Sequence, residues 1–203
     1  MKKAAVLVIM LIFASPRAEA QSKECSRVTF GVEWSCICTI LSGYHNNYFS
    51  HDGYRFNDRA VNTRPFINGE ALIHVGYDLN KDWNISLLTG ITGMADIHNA
   101  VPVSLRATRY YRQNKSDDRW FTYFEAGSGF SIKDEIQEIL AGKVGGGYRI
   151  SLSQRTKLDF HADLRCSYGH GRIYHEGQIV RLNRTMVNDA LVLALSLGMA
   201  LTF

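Results

Sequence analysis

Proline is rare in this chain, at 3 of 203 residues. Beyond residue 20 no unbroken apolar run reaches the roughly 18 residues that mark a bilayer-crossing helix, which excludes a helical membrane protein. Net charge is also small. The formal value of +4 is scattered along the chain, so no nucleic-acid partner is expected. Cysteine is confined to Cys25, Cys36, Cys38 and Cys166. Cys36 and Cys38 stand two apart on one extended segment and the spacings match no zinc motif, so the four read as small apolar residues rather than a disulfide framework. Charged residues at 21% and aromatics at 11% exclude disorder as the main state.

The first twenty residues have a separate character. Lys2 and Lys3 precede the apolar stretch Ala4 to Ala14, and Ala18-Glu19-Ala20 forms an A-x-A site before Gln21. That order reads as a signal peptide over 1–20, with the mature domain at 21–203.

Period-2 alternation runs through the rest of the chain and predicts eight strands. In strand one, Val28, Phe30, Val32, Trp34, Cys36, Cys38 and Ile40 share a face opposite Thr29, Gly31, Glu33, Ser35 and Thr39; only Ile37 breaks the pattern. Strands two to six are placed at about Phe66–Leu79, Trp83–Thr92, Val101–Arg112, Trp120–Ile132 and Leu140–Leu152. The fifth is the least regular, because Phe121 and Tyr123 share a face with Glu125. Strand seven sets Leu158, Phe160, Ala162, Leu164, Cys166 and Tyr168 against Asp159, His161, Asp163, Arg165 and Ser167, and strand eight alternates from Leu191 to Phe203.

A soluble sandwich would alternate too, so three further features choose the surroundings. The strands exceed the usual soluble length of about 5–6 residues and suit the ~9–11 tilted residues of a membrane strand. Short linkers (Asn80–Asp82, Gln113–Arg119, Ser153–Thr156) alternate with longer ones, Ser42–Pro65 and Gly169–Asn188 above all; Gly93–Ala100 fits this least well. Tyr77, Trp83, Tyr111, Trp120, Tyr148 and Phe203 fall at the short-turn end on the apolar face, forming an aromatic girdle, while Tyr168 and Phe130 begin an outer one. The expected fold is all-β: a transmembrane antiparallel up-and-down β-barrel of eight strands, closed because hydrocarbon leaves no partner for an open edge.

Leu195, Leu197, Met199, Leu201 and Phe203 resemble the C-terminal signature of bacterial outer-membrane proteins. From strand one onward the chain is similar to the small OmpA/OmpX-type barrels, without a further periplasmic domain. The resemblance implies integral residence in a Gram-negative outer membrane, contact with its lipid and lipopolysaccharide, and the barrel-assembly machinery as a transient partner.

An eight-stranded bore is narrow and filled by side chains. The charges pointing into it, Glu33, Glu70, His74, Arg106, Glu125, Lys143, Arg149, Asp159, His161, Asp163 and Arg165, are expected to form an ion-pair network, since an unpaired buried charge is costly. An acid–base pair of His161 with Asp159 or Asp163 is the alternative, but alternate residues of one strand do not meet as a catalytic triad does. His45, His51, His170 and His175 match no ligand spacing, so no metal and no cofactor is expected. The loops 42–65, with Tyr44, Tyr48, Phe49, Tyr54, Arg55 and Phe56, and 169–188 are candidate contact surfaces for an extracellular ligand. The reading is a structural or surface-interacting barrel without catalytic residues. The alternatives are a narrow pore or a lipid-modifying enzyme using Ser167, His170 and His175.

Overall fold

A computed structural model of the chain describes residues 27–94, 98–113, 116–131, 138–153, 155–170, 173–176, 178–180 and 182–203. The leader 1–20 and Cys25 lie outside the described residues. The strands are β1 (Val28–Phe49), β2 (Arg55–Asn62), β3 (Phe66–Asp78), β4 (Trp83–Met94), β5 (His98–Gln113), β6 (Ser116–Ser131), β7 (Glu138–Ser151), β8 (Lys157–Gly169), β9 (Tyr174–His175), β10 (Gln178–Ile179) and β11 (Thr185–Thr202), with a 3-10 turn at Leu182–Arg184 before the last.

Eight of these close a ring. The antiparallel order runs β1, β3, β4, β5, β6, β7, β8, β11, and β11 pairs back onto β1. Following directly opposed residues around it leads from Val32 through Ile73, Thr89, Val103, Ser128, Leu140, Tyr168 and Leu191 to Gly43, not back to Val32. This stagger tilts the strands and fixes the width of the bore. A bulge between Thr39 and Leu41 interrupts β1 opposite β11. Beyond it Gly43 and His45 stand directly opposite Leu191 and Asp189, sharing the outward face of the lower β1 residues.

The ladder departs from the expected boundaries where the chain emerges. Residues 42–65 form no open loop: β1 continues to Phe49 and turns into β2, with Phe49 opposite Arg55. Ser50 closes the tip, its amide donating to the Tyr54 carbonyl at 2.8 Å, and Gly53 takes the positive φ of 84° that a side chain would resist. β11 likewise begins at Thr185, well before Leu191, and shortens the last connection. The linkers at 113–119 and 93–100 shrink as well, since Gln113 pairs with Ser116 and Met94 with His98. Pairing with a neighbour carried these segments into strand where their own alternation was weak.

Candidate functional site

The alternation resolves into an inverted protein. Trp34, Leu105, Phe124, Leu140 and Leu197 point outward, Leu197 being 68% exposed, while Glu33, Glu70 and Glu125 lie inside at 3–4%. A continuous apolar belt of that kind cannot face water without aggregating, and no soluble fold desolvates its charges while exposing its leucines. The molecule is a membrane barrel.

Its lumen is crossed by ionic contacts, some between neighbouring strands and some spanning the bore between strands that are not neighbours. Arg106 on β5 donates from both Nη atoms to Glu33 on β1, at 2.6 and 2.9 Å, and from Nε and Nη2 to Glu125 on β6, at 2.9 and 2.6 Å. Lys143 on β7 bridges Glu125 at 3.2 Å and Glu70 on β3 at 2.5 Å, and Arg165 on β8 reaches the other Glu70 oxygen at 2.8 Å. Three carboxylates and three cations thus make one chain of contacts with no formal charge left over. Nearer the short turns, Arg149 forms a two-point pair with Asp159 at 2.7 and 2.6 Å, and its guanidinium lies 4.4 Å from the centre of the Tyr110 ring.

The remaining lumen residues have quieter roles. Asp163 accepts at a single oxygen from Tyr123 (2.8 Å) and Ser196 (2.6 Å), while its other oxygen has no hydrogen-bond partner. His74 Nε2 lies 3.4 Å from the Thr202 hydroxyl. His161 presents Nε2 to Ser35 at 3.2 Å and to Glu33 at 3.5 Å. Both contacts fall on the same ring nitrogen, whereas a serine–histidine–carboxylate relay needs one on each. Asp159 turns to Arg149 and Asp163 to Tyr123, leaving neither as the partner of His161 in an acid–base pair.

Aromatic side chains are the part of the lumen that the charge pattern did not announce. Tyr110, Phe121 and Tyr123 are buried together there. They fit because β7 carries glycine opposite: a Cβ at Gly145 would approach the Tyr123 ring to 2.9 Å, and one at Gly147 the Phe121 ring to 2.7 Å. Glu125 sharing a face with Phe121 and Tyr123 was the available signal. It marks an inward face mixing rings and charge, with Arg106 lying 4.4 Å from the Tyr123 ring centre. A cavity of about 30 Å³ here, lined by Thr29, His74, Asn84, Arg149 and Asp159 among others, has room for about one water molecule.

At the rims, Tyr77, Trp83, Tyr111, Trp120 and Phe203 stand exposed on the outer face, and Trp120 meets Tyr148 edge-on at 5.0 Å. Phe30, read at first only as an apolar position, stacks on Phe203 at 5.7 Å and extends this ring. Leu195, Leu197 and Met199 also face outward, with Leu201 half-buried beside them. At the opposite end the two long connections pack on one another. Tyr48, Ile173 and Val180 are buried with Phe56 against them, and Arg184 donates to the carbonyls of Ser50 and His51 at 2.9 and 3.0 Å. The Tyr48 hydroxyl lies 3.2 Å from His175 Nδ1, and burial, with Asp58 nearby, raises its pKa above the ordinary value. Of the first-loop aromatics, then, Tyr48 and Phe56 hold the loop together, while Tyr44, Phe49 and Tyr54 remain outside.

Ser167, His170 and His175 are not gathered into a site. Ser167 is buried on the lumen side, His170 turns to the Asn188 carbonyl, and His175 to Tyr48. Among the described residues no group of three His, Cys, Asp or Glu side chains could hold a metal. Cys36, Cys38 and Cys166 are free thiols.

No protein-family model and no curated protein matches the chain. Among solved structures it is similar to Neisserial surface protein A (14% identity, 86% of this chain and 97% of that one, TM-score 0.45). It is also similar to the outer-membrane protein OprG of Pseudomonas aeruginosa (11%, 90% and 99%, TM-score 0.49) and to the attachment invasion locus protein Ail of Yersinia pestis (15%, 84% and 98%, TM-score 0.32). Likeness at this level says nothing of activity.

Proposed function

We propose that this protein is an integral outer-membrane barrel of a Gram-negative bacterium with a structural and surface-interacting role rather than an enzymatic one. The inverted burial carries the reading: the lumen is filled by paired charges, with Asp163 held by hydroxyls instead of a cation, and the apolar belt requires hydrocarbon around it. Residues 1–20 serve as a cleaved signal peptide and 21–203 as the barrel. Leu195, Leu197, Met199, Leu201 and Phe203 present the apolar face that the barrel-assembly machinery takes up. Outer-membrane lipid and lipopolysaccharide surround the belt.

The surface available to an extracellular ligand is the projecting sheet of β2, β1 and β11, joined by the described residues of the connection between β8 and β11. Tyr54 at its tip is 71% exposed and Val61 on β2 is 69% exposed. Expression of the full chain in a Gram-negative host, followed by fractionation, intact mass and heat-dependent gel mobility, tests the reading. The expected result is an outer-membrane species lacking Met1–Ala20 whose folded form migrates apart from the boiled one. Recovery as a water-soluble protein would overturn it.

A further inference from the structure

The outer wall of the barrel carries a groove of about 320 Å³ that the lumen network does not use. Gly43 is among its lining residues, and Val61, Leu191 and Tyr168 contribute apolar surface. The groove sits at a border. On β1, Gly43 is followed outward by His45; on β2, Val61 by Arg59; on β11, Leu191 by Asp189. Three paired strands therefore change from apolar to polar at the same height, where the column of alternate apolar residues running up β11 from Phe203 ends. In the bilayer that height is where acyl chains meet headgroups.

The polar edge of the groove is unevenly satisfied. Asp189 is engaged, accepting from the Tyr168 hydroxyl at 2.5 Å and lying 3.5 Å from His170 Nδ1. His45 is engaged with Asn57 at 2.9 Å. Arg59 is exposed and makes no hydrogen bond or ion pair among the described residues. An uncommitted guanidinium just above an apolar cleft is complementary to an amphiphile whose first polar group is a phosphate. The Tyr168 ring, fixed by Asp189 at one end and by the edge of His170 at 5.6 Å, offers a flat amphipathic face at the level where a sugar ring would follow.

We infer that this groove binds one phosphorylated glycolipid of the surrounding leaflet, with an acyl chain along Gly43, Val61 and Leu191 and the phosphate on Arg59. The inference rests on the membrane reading above and names the lipid contact within it. A Cβ at Gly43 would meet Val61 Cγ2 at 3.8 Å, an ordinary contact, so the backbone there accepts a side chain and Gly43→Leu adds bulk on the groove side.

The test uses the full mature chain in phosphatidylcholine nanodiscs doped with lipid A, with phosphatidylglycerol at matched charge, or with inorganic phosphate added, read by native mass spectrometry. One retained lipid A is expected, with Arg59→Ala and Gly43→Leu each lowering its retention about tenfold and Arg155→Ala, at the opposite end of the barrel, leaving it unchanged. Equal retention of phosphatidylglycerol, binding of inorganic phosphate alone, or retention indifferent to Arg59→Ala and Gly43→Leu would overturn the inference. Failure to insert into nanodiscs would instead overturn the membrane reading; insertion without lipid A retention rejects the groove alone.

Discussion

Arg106 and Glu33 face each other across the bore, 2.6 Å apart at their nearest atoms, from strands three places apart around the ring. Arg106 also serves Glu125, but Glu125 keeps Lys143 and Ser104, so removing Arg106 strands Glu33 above all. Arg106→Met is expected to cost about 3–5 kcal/mol in urea unfolding from lipid vesicles. Replacing Glu33 and Arg106 together by apolar residues of similar volume should recover much of that loss, because it leaves Glu125, Lys143, Glu70 and Arg165 matched and breaking a buried pair costs more than omitting it. A milder effect of Arg106→Met than of the double change would show that the strut is not what matches these charges.

The two faces of the barrel should answer opposite substitutions. Leu197→Arg places a cation on the lipid side and is expected to cost roughly 2–4 kcal/mol if that site lies near the midplane. Asp163→Asn retains an acceptor for Tyr123 and Ser196 and has no cation to abandon, so a cost of about 1 kcal/mol or less is expected. Equilibrium unfolding of both variants in the same vesicles checks the order; reversed costs would exchange inside and outside.

Phe203 is joined to Phe30 by backbone hydrogen bonds at 2.8 and 3.2 Å as well as by stacking. Phe203→Ala should slow assembly in cells and lower stability by about 0.5–1.5 kcal/mol beyond the lost area. Phe30→Ala should lower stability similarly while leaving delivery to the membrane intact. Comparing the heat-shifted fraction in cells with unfolding in vitro separates the two effects.

With Lys143 and Arg106 both tying opposite walls together, passage of solute requires breaking matched pairs. Planar-bilayer recording is expected to give no steady opening of porin size. A stable channel of that scale would contradict the filled bore.

Much of this architecture is legible because its rules are local. Strand seven reads correctly residue by residue, since Asp159, His161, Asp163 and Arg165 all point one way and Leu158 to Tyr168 the other. What alternation cannot give is the partner across the bore: nothing near Glu70 in sequence indicates Lys143 or Arg165, because the stagger of the whole ring decides which charges share a height. Residues 42–49 read as loop because the bulge after Thr39 shifts the phase of the alternation, and Asn46 and Asn47 then hide a strand that pairing with β11 supports. The groove was invisible for a similar reason. Gly43, Arg59 and Tyr168 come from three separate stretches of chain and meet only on the closed wall.

Closure itself has a consequence in time. Gly31 lies opposite Thr202, so the seam joins opposite ends of the barrel sequence, and the struts link walls that meet only after the seam is made. Until then Glu33 and Glu70 lack their transverse partners and keep their water. Drying of the interior and sealing of the circumference should therefore be one event, with half-zipped species staying wet inside and open to proteases.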